Sequence, residues 1–164
     1  MKILTDHQIR QKIRRLAIEI VENNFDEKAI ILAGINQNGM AFARLLLEHL
    51  STITRQDISL TSLKINPADP LATPVELGMP VAELCGKVII IVDDVANTGR
   101  TMFYACKPLM ETLPKRVEVA VLVDRTHKSF PIKVDYVGLS LATTLLEDID
   151  VKIREVEEYG VFLN

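Results

Sequence analysis

The sequence predicts an α/β fold: a parallel, twisted sheet with helices on both faces, in a single domain over residues 1–164. Three observations carry this. Ala29–Ala33 and Val88–Val92 are all-apolar runs, and Val117–Val123 reads as a third buried strand; such runs suit strands covered on both sides. Amphipathic stretches separate them, giving an α, then β-α-β, then β-α-β order whose crossovers make the strands parallel. At 164 residues, 48% hydrophobic and 25% charged, the chain can bury one real core and is too short for two ordinary domains.

Thr5 or Asp6 caps a first helix in which Ile9, Ile13, Leu16 and Ile20 recur at helical spacing, with Arg10, Lys12, Arg14 and Arg15 opposite. The strand Ala29–Ala33 leads into a loop, Gly34 to Gly39, and a second amphipathic helix runs from about Met40 to Leu50. Residues 57–65 alternate and predict a less buried strand. Residues 66–80 hold Pro67, Pro70, Pro74 and Pro80, which break regular structure and predict a long loop, a kind of segment that often works as a lid. After Val88–Val92 and the loop starting at Asp93, a helix extends to about Leu113, kinked or shortened by Pro108. Val117–Val123 ends in Asp124-Arg125-Thr126-His127, and residues 135–138 and 151–156 read as short strands. Ligands of parallel sheets bind beyond the strands' carboxyl ends, so the informative loops start at Gly34, Asp93 and Asp124.

A net charge of −3 gives no sign of a dedicated nucleic-acid binder. Cys85 and Cys106 have no metal-type spacing and read as reduced, buried thiols. The first residues lack the apolar core of a signal peptide, and no apolar run nears the roughly 20 residues of a membrane span; a soluble cytoplasmic protein is expected.

The chemistry concentrates in Val88 to Thr101. A buried strand delivers two adjacent carboxylates, Asp93 and Asp94, to the sheet's rim. The loop Val95-Ala96-Asn97-Thr98-Gly99-Arg100-Thr101 follows and opens a helix. Backbone N–H groups of such a loop form an anion nest, and the helix start adds unpaired donors. Gly99 permits close approach, and Thr98 and Thr101 offer hydroxyl donors. A sugar phosphate suits this pair of features: phosphate in the cup, vicinal ribose hydroxyls donating to the carboxylates.

This segment resembles the phosphoribosyl pyrophosphate (PRPP) motif of type I phosphoribosyltransferases, an apolar strand followed by two acidic residues and a Thr-Gly loop. Val119 to Ile132 with Asp124-Arg125-Thr126-His127, followed by Val134-Asp135-Tyr136-Val137-Gly138, is similar to one branch, the bifunctional pyrimidine-operon attenuation protein/uracil phosphoribosyltransferases. The resemblance implies a small hood beside the sheet, and a transferase that joins a nucleobase, a pyrimidine such as uracil, to the ribose of PRPP with loss of pyrophosphate. It implies Mg2+ as cofactor, carried on PRPP near Asp93 and Asp94, which act as the catalytic carboxylates. It implies substrate contacts from Val95 to Thr101, from Asn36, Gln37, Asn38 and Gly39 as the pyrophosphate loop, and from Asp124, Arg125 and His127. It also implies a homo-oligomer, a dimer. RNA binding by the Arg10, Lys12, Arg14 and Arg15 face is the attenuator's invitation; a solvated face balanced by Glu19 and Glu22 is the favoured reading.

The chain departs from that branch in three places. Gln37-Asn38-Gly39 stands where the branch has Thr-Arg-Gly, residues 62–70 offer only Lys64 and Asp69 where it has an arginine with acidic neighbours, and Leu139 replaces a basic residue. Each removes charge near the phosphates. Asn97, where purine enzymes commonly place an aspartate base, cannot accept a proton at neutral pH, which favours a pyrimidine. Two functions follow as expectations: a transferase, and a sensor of PRPP or nucleotide that keeps the pocket without turnover.

Overall fold

The structure of the protein, a computed structural model, describes residues 1–144 and 146–164. Its elements are β1 (Lys2–Leu4), α1 (Asp6–Asn23), β2 (Ala29–Ile35), α2 (Asn36–Ile53), β3 (Asp57–Lys64), β4 (Glu76–Leu77), β5 (Val88–Ala96), α3 (Arg100–Ala105), β6 (Arg116–Arg125), β7 (Tyr136–Leu141), β8 (Ile149–Lys152) and β9 (Gly160–Leu163). Short 3-10 turns occupy Val81–Leu84 and Lys107–Glu111.

The main sheet has the order β4-β3-β2-β5-β6-β7, parallel throughout except for the antiparallel β3–β4 edge. Alternate strand residues serve opposite faces, as the pleat requires. Ile30, Leu32, Val88, Ile90 and Val92 pack with α1 and α2, whereas Ile31, Ala33, Ile89 and Ile91 pack with Met102, Ala105 and Leu109 on the other side. Helical elements therefore cover both faces, as the apolar runs predict. A second, antiparallel sheet in the order β1-β9-β8 sets Leu4, Ile149, Val151 and Val161 into the first core and forms the expected small hood.

Thr5 caps α1 through a capping box: its hydroxyl accepts from Gln8 N at 3.3 Å, and Gln8 Oε1 accepts from Thr5 N at 2.9 Å. α2 starts about one turn earlier than its apolar periodicity suggests, at Asn36 rather than Met40, so Asn36 to Gly39 are its first turn rather than a free loop. β5 and β6 run past their apolar cores, so Asp93 to Ala96 and Asp124 and Arg125 lie in strands. The helix expected as far as Leu113 ends at Ala105, because Pro108 lacks an N–H and the chain tightens into a 3-10 turn. The strand expected over 151–156 is Ile149–Lys152; extended structure stops before Glu155, whose φ is 55°. Cys85 is exposed, not buried, because it follows the 3-10 turn at the surface; Cys106 is half-buried.

Asp135-Tyr136-Val137-Gly138 proves to be a packing motif. Asp135 Oδ2 accepts from Val119 N at 2.8 Å, and Tyr136 is fully buried with its hydroxyl 3.0 and 3.1 Å from the Glu118 carboxylate oxygens. Asn24 Nδ2 donates to Glu118 at 3.1 Å, and Arg116 donates to Asn24. Burial pushes the Tyr136 phenol up to about 12. On α1, Lys12 Nζ donates to Gly138 O at 3.1 Å and Arg15 Nη2 to the same oxygen at 3.5 Å, so part of the basic face is tied to β7. No helix among the described residues is long and apolar enough to cross a membrane.

Candidate functional site

The sheet's switch point lies between β2 and β5. The chain leaves β2 through α2 toward β3, then crosses back to β5, so the loops at the carboxyl ends of β2 and β5 diverge and leave a crevice. Asp93 and Asp94 stand at that end of β5, both half-buried. Asp93 Oδ1 accepts from Asp94 N at 2.8 Å and Asp94 Oδ1 from Val95 N at 2.8 Å, while Asn38 Nδ2 donates to Asp94 Oδ2 at 3.0 Å across the crevice. Burial, then the adjacent Asp94 charge, raise the Asp93 carboxyl well above the usual range.

Two glycines make this geometry possible. A Cβ on Gly39 would sit 2.6 Å from Val92 O, so only glycine lets the first turn of α2 lie against β5. Gly99 has φ 87° and caps α3; a Cβ there would meet Ile132 Cβ at 3.1 Å. Beneath the Asn97–Gly99 turn, Thr98 O accepts from Ser129 N at 3.0 Å and Phe130 N at 3.2 Å, and Phe130 packs on Phe103 with ring centroids 5.4 Å apart. The residues Val95 to Thr101, together with Asp93, wall a cup of about 40 Å³. The N–H groups of α3's first turn lack intrahelical partners, and Arg100 N donates to Thr98 Oγ1 at 3.4 Å.

Asn36, Gln37, Asn38, Asp93, Asp94, Asn97 and Thr101 meet around a cavity of about 490 Å³ beside the cup, with Ile149 of the hood on its wall. Arg125, His127, Asn97 and Thr98 line another of about 420 Å³ toward β6 and β7. Arg125 is heavily engaged there: it donates to Thr143 Oγ1 at 2.7 Å, Thr144 O at 2.8 Å, Glu147 O at 3.0 Å and Asn97 Oδ1 at 3.3 Å. His127 is exposed. Asp124 lines neither cavity; its Oδ1 accepts from Lys128 Nζ at 2.6 Å. Asn36, at φ 52°, spends its amide on Ile65 N and O at 3.0 and 2.9 Å, pinning the end of β2 to the end of β3. Arg100 donates to Pro67 O at 2.7 Å and Ala68 O at 3.1 Å, tethering the proline-rich loop to the cup.

Lys128, four residues after Asp124, pairs with it, and Arg154, from the hood and without local signal in the sequence, donates to Gln37 Oε1. Among the described residues there is no group of three or more His, Cys, Asp or Glu able to cage a metal. The acidic pair offers carboxylate oxygens of the type Mg2+ takes, but only as part of a shell completed by ligand phosphates and water.

A phosphoribosyl transferase domain model matches residues 1–157. The chain belongs to that family. It is 35% identical over 158 residues to the Bifunctional protein PyrR of Streptococcus pyogenes serotype M12, covering 95% of this chain and 91% of that one. It is 32% identical over 171 residues to the Bifunctional protein PyrR of Pediococcus pentosaceus, covering 99% and 97%. Among solved structures, a hypoxanthine phosphoribosyltransferase of Trypanosoma cruzi superposes with a TM-score of 0.77 at 17% identity, covering 98% of this chain and 95% of that one. A hypoxanthine-guanine phosphoribosyltransferase of Bacillus anthracis gives 0.75 at 19%, covering 97% and 95%. At such identities the structural likeness speaks for the fold alone: this is a phosphoribosyltransferase fold, with the PyrR proteins as its sequence relatives.

Proposed function

We propose that the chain, acting as a single phosphoribosyltransferase domain in the cytoplasm, transfers the phosphoribosyl group of PRPP to a pyrimidine, uracil being the leading acceptor. The observation that carries this is the pair Asp93–Asp94 beside the Thr98–Thr101 cup, held across the crevice by Asn38. The cup takes the 5-phosphate through backbone N–H groups and threonine hydroxyls. Ribose 2- and 3-hydroxyls donate to the two carboxylates.

In the reaction the bond from the anomeric carbon to the pyrophosphate oxygen breaks, a bond to the base nitrogen forms, and the nitrogen's proton is released. The cleaving ribose has oxocarbenium character, as in glycoside chemistry. The protein's share is positioning and charge stabilisation. Asp93 and Asp94 would stand beside Mg2+ carried on PRPP, which would supply neutralisation of the leaving group's charge. The base lies in the Arg125–His127 cavity. There Asn97 Oδ1 already accepts from Arg125, so its Nδ2 is left as a donor for a carbonyl oxygen, an arrangement matched by uracil and unsuited to a purine that needs a base.

A homodimer is proposed from the resemblance alone. The second reading is a sensor of PRPP or nucleotide without turnover, a regulator that passes the signal to RNA or protein. It rests on Gln37-Asn38, which bring no charge to the turn.

Two experiments separate these readings. Asp93→Asn combined with Asp94→Asn abolishes Mg2+-dependent PRPP binding in a calorimetric titration; unchanged affinity sinks both. Pyrophosphate release from PRPP with a panel of bases then decides between them. Release dependent on one base establishes a transferase and names its acceptor, and binding without release by any base establishes the sensor.

A further inference from the structure

Asn97 stands where the compartments of the site meet. The carboxylate cavity, the phosphate cup and the cavity toward β6 and β7 all share it, and among the described residues no other lines all three. With the ribose phosphate over the first two and the base in the third, the bond that joins them passes this side chain. A carboxamide has two ends of opposite kind, a carbonyl that accepts and an NH2 that donates. Which end it turns toward the base decides which bases fit.

Arg125 makes that choice. Its Nη1 donates to Asn97 Oδ1 at 3.3 Å. A guanidinium has no acceptor, so the reverse orientation of the amide would set donor against donor. The carbonyl is therefore spent on Arg125, and among the described residues Asn97 Nδ2 has no hydrogen-bond partner. The guanidinium is itself held from the other side. Nε donates to Thr143 Oγ1 at 2.7 Å, and Nη2 donates to Thr144 O at 2.8 Å and Glu147 O at 3.0 Å. Strand order explains this reach. β6 lies between β5 and β7, with Asp124 opposite Ala96 and Arg125 opposite Leu141. The side chain thus spans from the residue after β5 to the segment after β7. A planar fork held at several corners keeps its direction, which an ammonium on a flexible stem does not.

We propose that Arg125 is a positioning residue for the choice of acceptor: it acts through Asn97, whose amide N–H it aims at a carbonyl oxygen of the base. Uracil offers such an oxygen. A base presenting an N–H or amino group at that point meets a donor and is refused. This rests on the reading of that cavity as the place of the base, and it does not need turnover.

The test compares uridine 5-monophosphate with ribose 5-phosphate in calorimetric titrations of the full chain, so that the ratio of the two affinities isolates the base. Asn97→Ala removes the donor and cuts that ratio about threefold to tenfold, the effect of one lost hydrogen bond. Arg125→Met frees the amide to turn and cuts it by a similar factor, and Arg125→Lys, which can still only donate to Oδ1, restores most of it. The double variant of Arg125→Met with Asn97→Ala loses no more than Arg125→Met alone. Losses that multiply overturn the proposal, because a brace for Thr143, Thr144 and Glu147 that ignored Asn97 would give them. Equal losses for both ligands overturn it too, as a general disturbance of the site.

Asn97→Asp tests the sign. One carboxylate oxygen pairs with Arg125 and the other repels the base carbonyl, so the ratio falls below that of Asn97→Ala; a ratio above it overturns the proposal. Should Arg125→Met fail to fold, the same variant tests the pairing. Its thermal transition lies above that of Asn97→Ala if the guanidinium faces residue 97, and an equal or lower one overturns the proposal. Uridine 5-monophosphate binding no tighter than ribose 5-phosphate to the unaltered protein overturns it while the cup stands. Binding of neither ligand removes the pocket reading as well. A ratio that responds to Arg125 as described, without pyrophosphate release from PRPP by any base, upholds the proposal for a sensor and sinks the transferase.

Discussion

Replacing Gly39 with alanine sets two effects of opposite sign against each other. Gly39 lies in the first turn of α2, and alanine in a helix interior is favoured over glycine by about 1 kcal/mol. Against this, the new Cβ would lie 2.6 Å from Val92 O and 3.3 Å from Gly34 C. Ordinary contacts need roughly 3.5 Å, and the obstructing atom is backbone in the central strand β5, which cannot swing aside like a side chain. Forcing a methyl into such a place costs about 1–3 kcal/mol, and the helix gain is smaller in a first turn than in an interior. The net expectation is a loss of about 1–2 kcal/mol. With a urea slope of about 2 kcal/mol per molar, the unfolding midpoint falls by roughly 0.5–1 M. The same shift moves α2 away from β5 and lengthens the Asn38–Asp94 bond, so PRPP affinity falls too. A midpoint equal to or above that of the unaltered protein would mean that helix propensity wins, and would refute the view that close approach at Gly39 builds the crevice.

Tyr136→Phe leaves the buried Glu118 carboxylate without its phenol donor and costs about 1–3 kcal/mol by urea unfolding; an unchanged midpoint would contradict a structural role for this tyrosine. Its folded-state value of about 12 lies above the ordinary 10, so its contribution is fully present below pH 10 and is lost as pH rises toward 12. The stability gap between the protein and Tyr136→Phe therefore narrows over that window, and a gap that widens would reverse the sign of the argument. Gly99→Ala forces alanine to φ 87° against Ile132; about 1–2 kcal/mol of stability and much of the ribose 5-phosphate affinity are lost together, and retention of both would show that the cup tolerates a side chain.

How much was legible in the sequence depended on how local the cause was. The strands β2, β5 and β6 are buried on both faces, so their apolar runs announce them, and the acidic pair with its Thr-Gly turn follows β5 contiguously. β1, β4 and β9 are two to four residues long and exist through pairing with distant strands, as Lys2 does with Phe162, so no local pattern marks them. Helix α2 begins at Asn36 because of a close approach to β5 that leaves only a glycine as its trace. Arg125 reads in sequence as a ligand residue, and no local pattern announces that its guanidinium also braces Thr143, Thr144 and Glu147. Arg154 reaches Gln37 across 117 positions, beyond any motif.

The grip of Arg100 on the carbonyls of Pro67 and Ala68 is a latch. That guanidinium belongs to the first residue of α3, at the mouth of the cup. An incoming phosphate competes for it with two uncharged oxygens, and a charged acceptor makes the stronger hydrogen bond. A phosphate that drew this guanidinium away would unfasten the start of the proline-rich segment instead of fastening it. The segment would then regain conformational entropy as the sugar phosphate lost its own. Occupancy of the cup would in that way be felt as slack in the loop.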